Sequence, residues 1–478
     1  MFACLWKYMA TAVLLGVLGG CTLTPTYQRP ELPVADQLPV GPSTPGKETA
    51  KPIEVIEAEL GWRDFFVDPQ LQQLISTALA NNRDLRTSAL TIEAYQAQYR
   101  IQRSALLPTI AADGFGSKQR TLGNGGYASS ETYSASVGLT AYELDLFGRV
   151  RSLNDQALEQ YLAMEATHKS NRISLVAQVA TAYLSWLADR ELLAITEDTR
   201  RIEEESFTLI AQRTQEGLAT QLDLAQARTS LETAKANLAK YQRQVAQDLN
   251  SLTLLIGAPL PANLAETKSL DGQMALSAVP SRLSSQVLLQ RPDIITAEHQ
   301  LLSAHAQIGA ARAAFFPTIS LTATAGKISS ELSDLFDSGS GSWLFSPSVS
   351  LPIFTAGRLA AELDVAKISK DISVATYEKA IQTAFREVAD ALVASETYRD
   401  QLVAQKANLE ANQEYYALAK NRYQQGLDSF LTLLDAQRSL YTARQLYLNL
   451  QLAQQVNQVL VYKTLGGGWQ EHRASTDA

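Results

Sequence analysis

Cysteine and histidine are scarce, at 2 and 4 in 478 residues. So few thiols exclude a disulfide-stapled scaffold. His168, His299, His305 and His472 form no His-Glu-x-x-His or i, i+4 set, so no metal site is expected. Basic excess is missing too: 41 Lys+Arg stand against 49 Asp+Glu, a net charge of −8. That balance argues against nucleic acid, whose phosphates demand clustered cations. The mean hydropathy of −0.09 excludes a bundle of membrane-spanning helices. Enzyme signatures are lacking as well. Ala325-Gly326-Lys327 has no earlier glycine of a phosphate loop, and Gly339-Ser340-Gly341 lacks the spacing of a nucleophile elbow. The chain is therefore expected to be no enzyme and to hold no cofactor. Proline, finally, is absent from 109 to 258 and from 353 onward, as long unbroken helices require.

What is present begins at the N-terminus. Lys7, the apolar run Met9 to Leu18 and Gly19-Gly20-Cys21 have the charged start, short apolar core and small-residue cleavage site of a secretory signal. A buried first helix is the alternative. Leu18-Gly19-Gly20-Cys21 resembles a bacterial lipobox, which implies a signal peptide over 1–20 and a covalent lipid such as palmitate on Cys21. Thr22 stands where an Asp would, by the same resemblance, retain a lipoprotein at the inner membrane, so outer-membrane sorting is expected. Seven of the 16 prolines fall between Pro25 and Pro52, so 21–60 reads as an extended tether.

The rest of the chain is duplicated. Residues 82–110 match 291–319 at an offset of 209, with nine identities in 29 positions. The same offset pairs Gly148-Arg149 with Gly357-Arg358 and Arg213 to Leu231 with Arg422 to Leu440. Two copies are too few for a solenoid. Repeat 1 is placed at 61–257 and repeat 2 at 291–466, joined by a proline-containing linker at 258–290 and followed by a tail at 467–478. Each repeat starts helical, over 70–106 in the first copy, and then turns strand-like. Ile319, Leu321, Ala323 and Ala325 alternate with Ser320, Thr322 and Thr324, the period-two pattern of a strand. One hairpin is expected per repeat, at about 109–147 and 318–354, giving four strands. The phase slips near Tyr142, where a bulge or the end of a barrel is expected. A soluble sandwich is the other setting for such strands, but a membrane barrel suits a lipid-anchored chain. Four strands cannot close a barrel, so several copies must share one.

After Gly148 and Gly357 helical periodicity runs for about sixty residues, on the order of 90 Å. Leu224, Leu231, Leu238, Val245 and Leu252 then recur in sevens, as in a coiled coil. Gly217 and Gly426 interrupt the helices where a tight reversal needs positive φ, which marks them as hairpin tips. Leu431, Asp435 and Arg438 share one helical face just beyond the second tip. Taken alone, Asp435 and Arg438 read as a solvated intrahelical pair.

Several motifs resemble an outer-membrane factor of the TolC superfamily, of the OprM type found in tripartite drug-efflux pumps. They are Cys21 to Pro30, Gly61-Trp62-Arg63-Asp64-Phe65-Phe66, Asn81 to Leu85, Glu143 to Arg149, Gln290 to Asp293, Ala310 to Thr318 and Leu431 to Arg438. The resemblance implies an α+β membrane protein: a homotrimer with a twelve-stranded outer-membrane β-barrel and a long periplasmic α-helical barrel. It implies a periplasmic adaptor and an inner-membrane RND transporter as partners. It places a periplasmic gate at Leu431, Asp435 and Arg438 with Tyr423 as a latch candidate. It also gives the tip motifs Arg213, Gly217, Leu218 and Arg422, Gly426, Leu427 a second reading, adaptor contacts in addition to helix caps. An arginine that some relatives carry two residues after the tip glycine is Asp428 here. Metal-ion export or type I protein secretion are alternative duties of such a duct, and a pore-less periplasmic coiled-coil scaffold is the alternative of another class.

Overall fold

Helices dominate the computed structural model, which describes residues 22–38, 61–123, 126–261, 264, 270, 284–468 and 471. The expected signal peptide, Cys21, the tether from 39 to 60, most of the 258–290 linker, Asn124-Gly125, His472 and most of the tail lie outside these residues. In chain order the elements are α1 (Trp62–Phe65), α2 (Pro69–Asn81), α3 (Arg83–Ser104), β1 (Ile110–Gly123), β2 (Gly126–Glu143), α4 (Arg149–Gln215) and α5 (Gln221–Ile256). The second repeat supplies α6 (Pro292–Ala313), β3 (Thr318–Ser329), β4 (Gly341–Ser350), α7 (Arg358–Gln424) and α8 (Phe430–Thr464). Contacts divide the chain into one unit drawn from 1–31, 90–165 and 295–379 and another drawn from 32–89, 166–294 and 380–478.

The first unit holds the sheet, antiparallel throughout in the order β1-β2-β3-β4. Residues directly opposite each other share a face, so the register sorts side chains into rows. Ile110, Leu139, Ala323 and Phe345 form one row and Ala112, Val137, Ala325 and Trp343 the next, both wholly apolar. Asp113, Ser136, Gly326 and Ser342 form a row on the opposite face. Ile110, Val137, Trp343 and Phe345 are exposed despite being apolar. The slip near Tyr142 is a bulge: the register shifts between Leu139 and Tyr142, Ala141 takes φ +53°, and its N–H donates to the Thr322 hydroxyl at 3.1 Å. The extra residue keeps Tyr142 on the apolar face with Leu321 and Pro347, and leaves Glu143 among Ser320 and Ser348. Pro347, which has no N–H to give, stands on β4, the last strand of the chain's own sheet.

An N-terminal strap crosses the helices of the same unit. Arg29 donates to both oxygens of Glu298 at 2.7 and 3.0 Å, and Tyr27 donates to the same carboxylate. Further toward the N-terminus, Thr24 hydrogen-bonds Ser152 at 3.1 Å and Arg312 donates to the Leu23 carbonyl. Gly309 on α6 makes the crossing feasible, because a Cβ there would stand 2.1 Å from Thr24 Oγ1 and 3.0 Å from Thr24 Cα.

The second unit holds the main core. Trp62, Phe65 and Phe66, with Leu71, Leu74 and Ile75 of α2, pack against Val179, Tyr183 and Leu187 of α4, Leu252 and Ile256 of α5 and Tyr462 of α8. The Phe65 and Tyr462 rings stack at 4.0 Å. The helix expected over 70–106 is two helices, broken at Asn82. That side chain accepts from the Leu85 N–H at 2.9 Å to start α3 and donates to the Leu255 carbonyl at 2.8 Å, fixing the break against the end of α5.

Candidate functional site at the helix tips

α4 and α7 end alike. The Leu218 N–H reaches the Arg213 carbonyl at 2.7 Å and the Gly217 N–H reaches Thr214; Leu427 and Gly426 repeat this on Arg422 and Tyr423. These paired bonds are the Schellman ending, which needs a left-handed residue; Gly217 and Gly426 both have φ +74°. α5 then starts from a capping box, Thr220 with Asp223, and α8 from Ser429, whose hydroxyl accepts from the Thr432 N–H. Apolar side chains after a Schellman ending usually fold back onto the helix. Here Leu218 and Leu427 stay 73% and 62% exposed.

Behind the tips the two hairpins share a small core of Ile210, Ala227, Tyr423, Phe430, Leu433 and Leu434. Arg213 on the first hairpin donates to the Tyr423 hydroxyl on the second at 3.1 Å. Arg422 does not follow its repeat partner. It turns back on its own hairpin and clamps both oxygens of Asp428, at 2.7 and 3.0 Å. That hydrogen-bonded guanidinium holds the Asp428 carboxyl below the usual carboxylate range.

Leu431, Asp435 and Arg438 share an exposed face of α8, while Leu433, Leu434, Ala436 and Gln437 are buried. The solvated Asp435–Arg438 pair does not form. Asp435 accepts from the Tyr415 hydroxyl at 3.2 Å, and Arg438 reaches Ser230 on α5 at 3.0 Å. Tyr415, Ser230 and Phe430 escaped the sequence reading. Ser230 carried one signal, since the 209-residue offset superposes it on Ser439 within the tip repeat. Tyr415 carried another, lying almost as far before Gly426 as Asp435 lies after it, where an antiparallel hairpin brings side chains together.

Comparison with known proteins places this geometry. The family model described as outer membrane efflux protein matches residues 74–258 and 283–467, once per repeat. The toluene efflux pump outer membrane protein TtgC of Pseudomonas putida is 53% identical, over 97% of this chain and 96% of its own. The outer membrane protein OprJ of Pseudomonas aeruginosa is 44% identical, over 97% of this chain and 96% of its own. Among solved structures, the open state of the Neisseria gonorrhoeae MtrE outer membrane channel covers 95% of this chain and 100% of its own, with 41% identity and a TM-score of 0.86. Four strands per chain, pooled by three chains, make the twelve-stranded barrel of this architecture. Duplicated, barrel-forming and built to pass solute rather than to transform it, the chain belongs to the outer membrane efflux protein family and is the outer-membrane channel of an efflux pump.

Proposed function

We propose that this channel is the exit duct of a tripartite system. It is anchored by a lipid on Cys21, docks a periplasmic adaptor on its helix tips, receives solute from an inner-membrane RND transporter and releases it by diffusion. The transporter supplies the energy, and the duct contributes a gate that opens. Small apolar organic compounds and antibiotics are its cargo, a reading supported by the relative named for toluene efflux.

One observation carries the reading: the cross-hairpin contact of Arg213 with Tyr423 beside the exposed face of Leu431, Asp435 and Arg438. Contacts that join the two hairpins at their tips are those that must break for the tips to part. Around a trimer axis the exposed α8 face repeats three times, ringing an aperture with leucines, carboxylates and guanidinium groups. Leu218 and Leu427, left out of their own helix caps, suit an apolar partner at the tips.

Single-channel recording in planar bilayers tests the gate. Asp435→Ala with Arg438→Ala is expected to raise conductance while the protein stays trimeric, and unchanged conductance would refute the gate. A deletion strain complemented with the wild type should regain toluene and antibiotic tolerance. Incorporation of labelled palmitate should vanish in Cys21→Ala.

A further inference from the structure

A cavity of about 350 Å3 lies among α4, α5 and α8, lined by residues that include Thr199, Glu203, Thr233, Gln437, Tyr441 and Thr442. Glu203 is 5% and Gln437 8% exposed, yet Glu203 Oε2 and Gln437 Oε1 have no hydrogen-bond partner. Buried acceptors left this way are costly.

The threonine hydroxyls around them, and that of Tyr441, supply no donor. Thr199 gives its proton to the Ile195 carbonyl at 2.8 Å, Thr233 to Thr229 at 2.8 Å and Thr442 to Arg438 at 2.9 Å. Thr196 spends its own on Leu192, so the 3.0 Å contact between Thr196 and Tyr441 must be donated by Tyr441. Each of these hydroxyls therefore offers the cavity only lone pairs, while Ser230 keeps its own proton. Arg438, the cation on this wall, donates to Ser230 rather than to Glu203.

Acceptors gathered around a buried carboxylate suit a ligand that is all donor and positively charged. We propose that this cavity is a binding site for a primary alkylammonium ion, its –NH3+ held by Glu203 and Gln437 and its alkyl chain lying against Ala234 and the threonine methyls. The site stands on the cavity and its hydrogen-bond directions, not on the gate reading.

Burial pushes the Glu203 carboxyl up to about 7, against the pull of Arg438 on α8. Tyr416 on α7 and Tyr441 on α8 are the other titratable groups beside it. Binding must therefore strengthen as the pH rises through neutrality and Glu203 ionises.

The test is calorimetric titration of the purified full-length trimer with n-butylammonium at about pH 8. Saturable binding is expected, weakened at least about tenfold by Glu203→Gln and about tenfold by lowering the pH to about 6, where roughly a tenth of Glu203 stays ionised. Thr442→Val, which removes an acceptor at constant shape, should weaken it as well, so the outcome does not hang on one variant's folding. Tetramethylammonium carries the charge without N–H donors and should bind far more weakly. Asp435→Asn should leave binding intact. No saturable heat, equal affinity in Glu203→Gln, equal binding of tetramethylammonium, or loss in Asp435→Asn would each overturn the assignment.

Discussion

Adding one methyl group at Gly309 should peel the N-terminal strap from the helices beneath it. In Gly309→Ala the new Cβ would meet Thr24 Oγ1 at 2.1 Å, Ser152 Oγ at 2.6 Å and Thr24 Cα at 3.0 Å. A hydroxyl can rotate away, but a Cα cannot, so the strap backbone must rise. Overpacking of this kind costs about 1–3 kcal/mol. The rise also strains the Thr24–Ser152 bond, about 1 kcal/mol, and the charge-assisted bond from Arg312 to Leu23, about 1.5–3 kcal/mol. These losses share one displacement and do not add, so about 2–4 kcal/mol is expected, which favours the lifted strap roughly 30- to 1000-fold. Lifting should stop at Arg29, whose two bonds to Glu298 are untouched. Limited proteolysis reads this directly, with cleavage within Leu23 to Tyr27 faster by that factor when reclosing outpaces cleavage. α6 itself should be cleaved no faster, since Ala is the better helix former by about 1 kcal/mol. Unchanged cleavage over Leu23 to Tyr27, or new cleavage centred on α6, would refute the reasoning.

Three further outcomes follow from the tips and the buried carboxylate. Tyr423→Phe removes one of the bonds that join the hairpins, a charge-assisted one of about 1.5 kcal/mol, and should raise the open probability in bilayers without shifting trimer assembly. Gly217→Ala and Gly426→Ala meet no neighbouring atom and share φ +74°, so each should cost about 1–2 kcal/mol of strain alone, with equal losses in the trimer's heat-dissociation midpoint. Glu203 has its folded pKa raised from 4.5 to about 7, so its neutral form favours the fold below about 4.5, and that contribution is lost as the pH rises through about 7. Glu203→Gln should therefore gain up to ~3 kcal/mol per chain over the wild type at about pH 8 and almost nothing at about pH 4, measured as the difference in dissociation midpoint; a pH-independent difference would dismiss the burial argument.

Patterns that repeat along the chain made most of the fold legible. Strand alternation, the phase slip at Tyr142 and the glycines at 217 and 426 are local signals, and a strand or a cap is a local object. The break at Asn82 was hidden because helical periodicity continues across it; what stops the helix is a side chain engaging Leu255, a residue 173 positions away. At the tips, Arg213 and Arg422 occupy matching places in the repeat, so nothing local says that one reaches Tyr423 and the other Asp428. Their neighbours decide, since Asp428 replaces Ala219 at the same offset. Glu203 was equally silent. Whether a helical glutamate faces water or a cavity depends on how three helices rotate against one another, and one helix's sequence does not contain that.

The two unpaired margins of the sheet have a genetic corollary. Since β1 and β4 can complete their hydrogen bonding only with other chains, damage to either strand damages neighbours that are themselves sound. In a cell making equal amounts of intact and edge-defective polypeptide, random mixing leaves about one-eighth of the trimers free of the bad copy. Alleles hitting these margins should therefore behave as dominant, whereas a null allele at the same locus should be recessive.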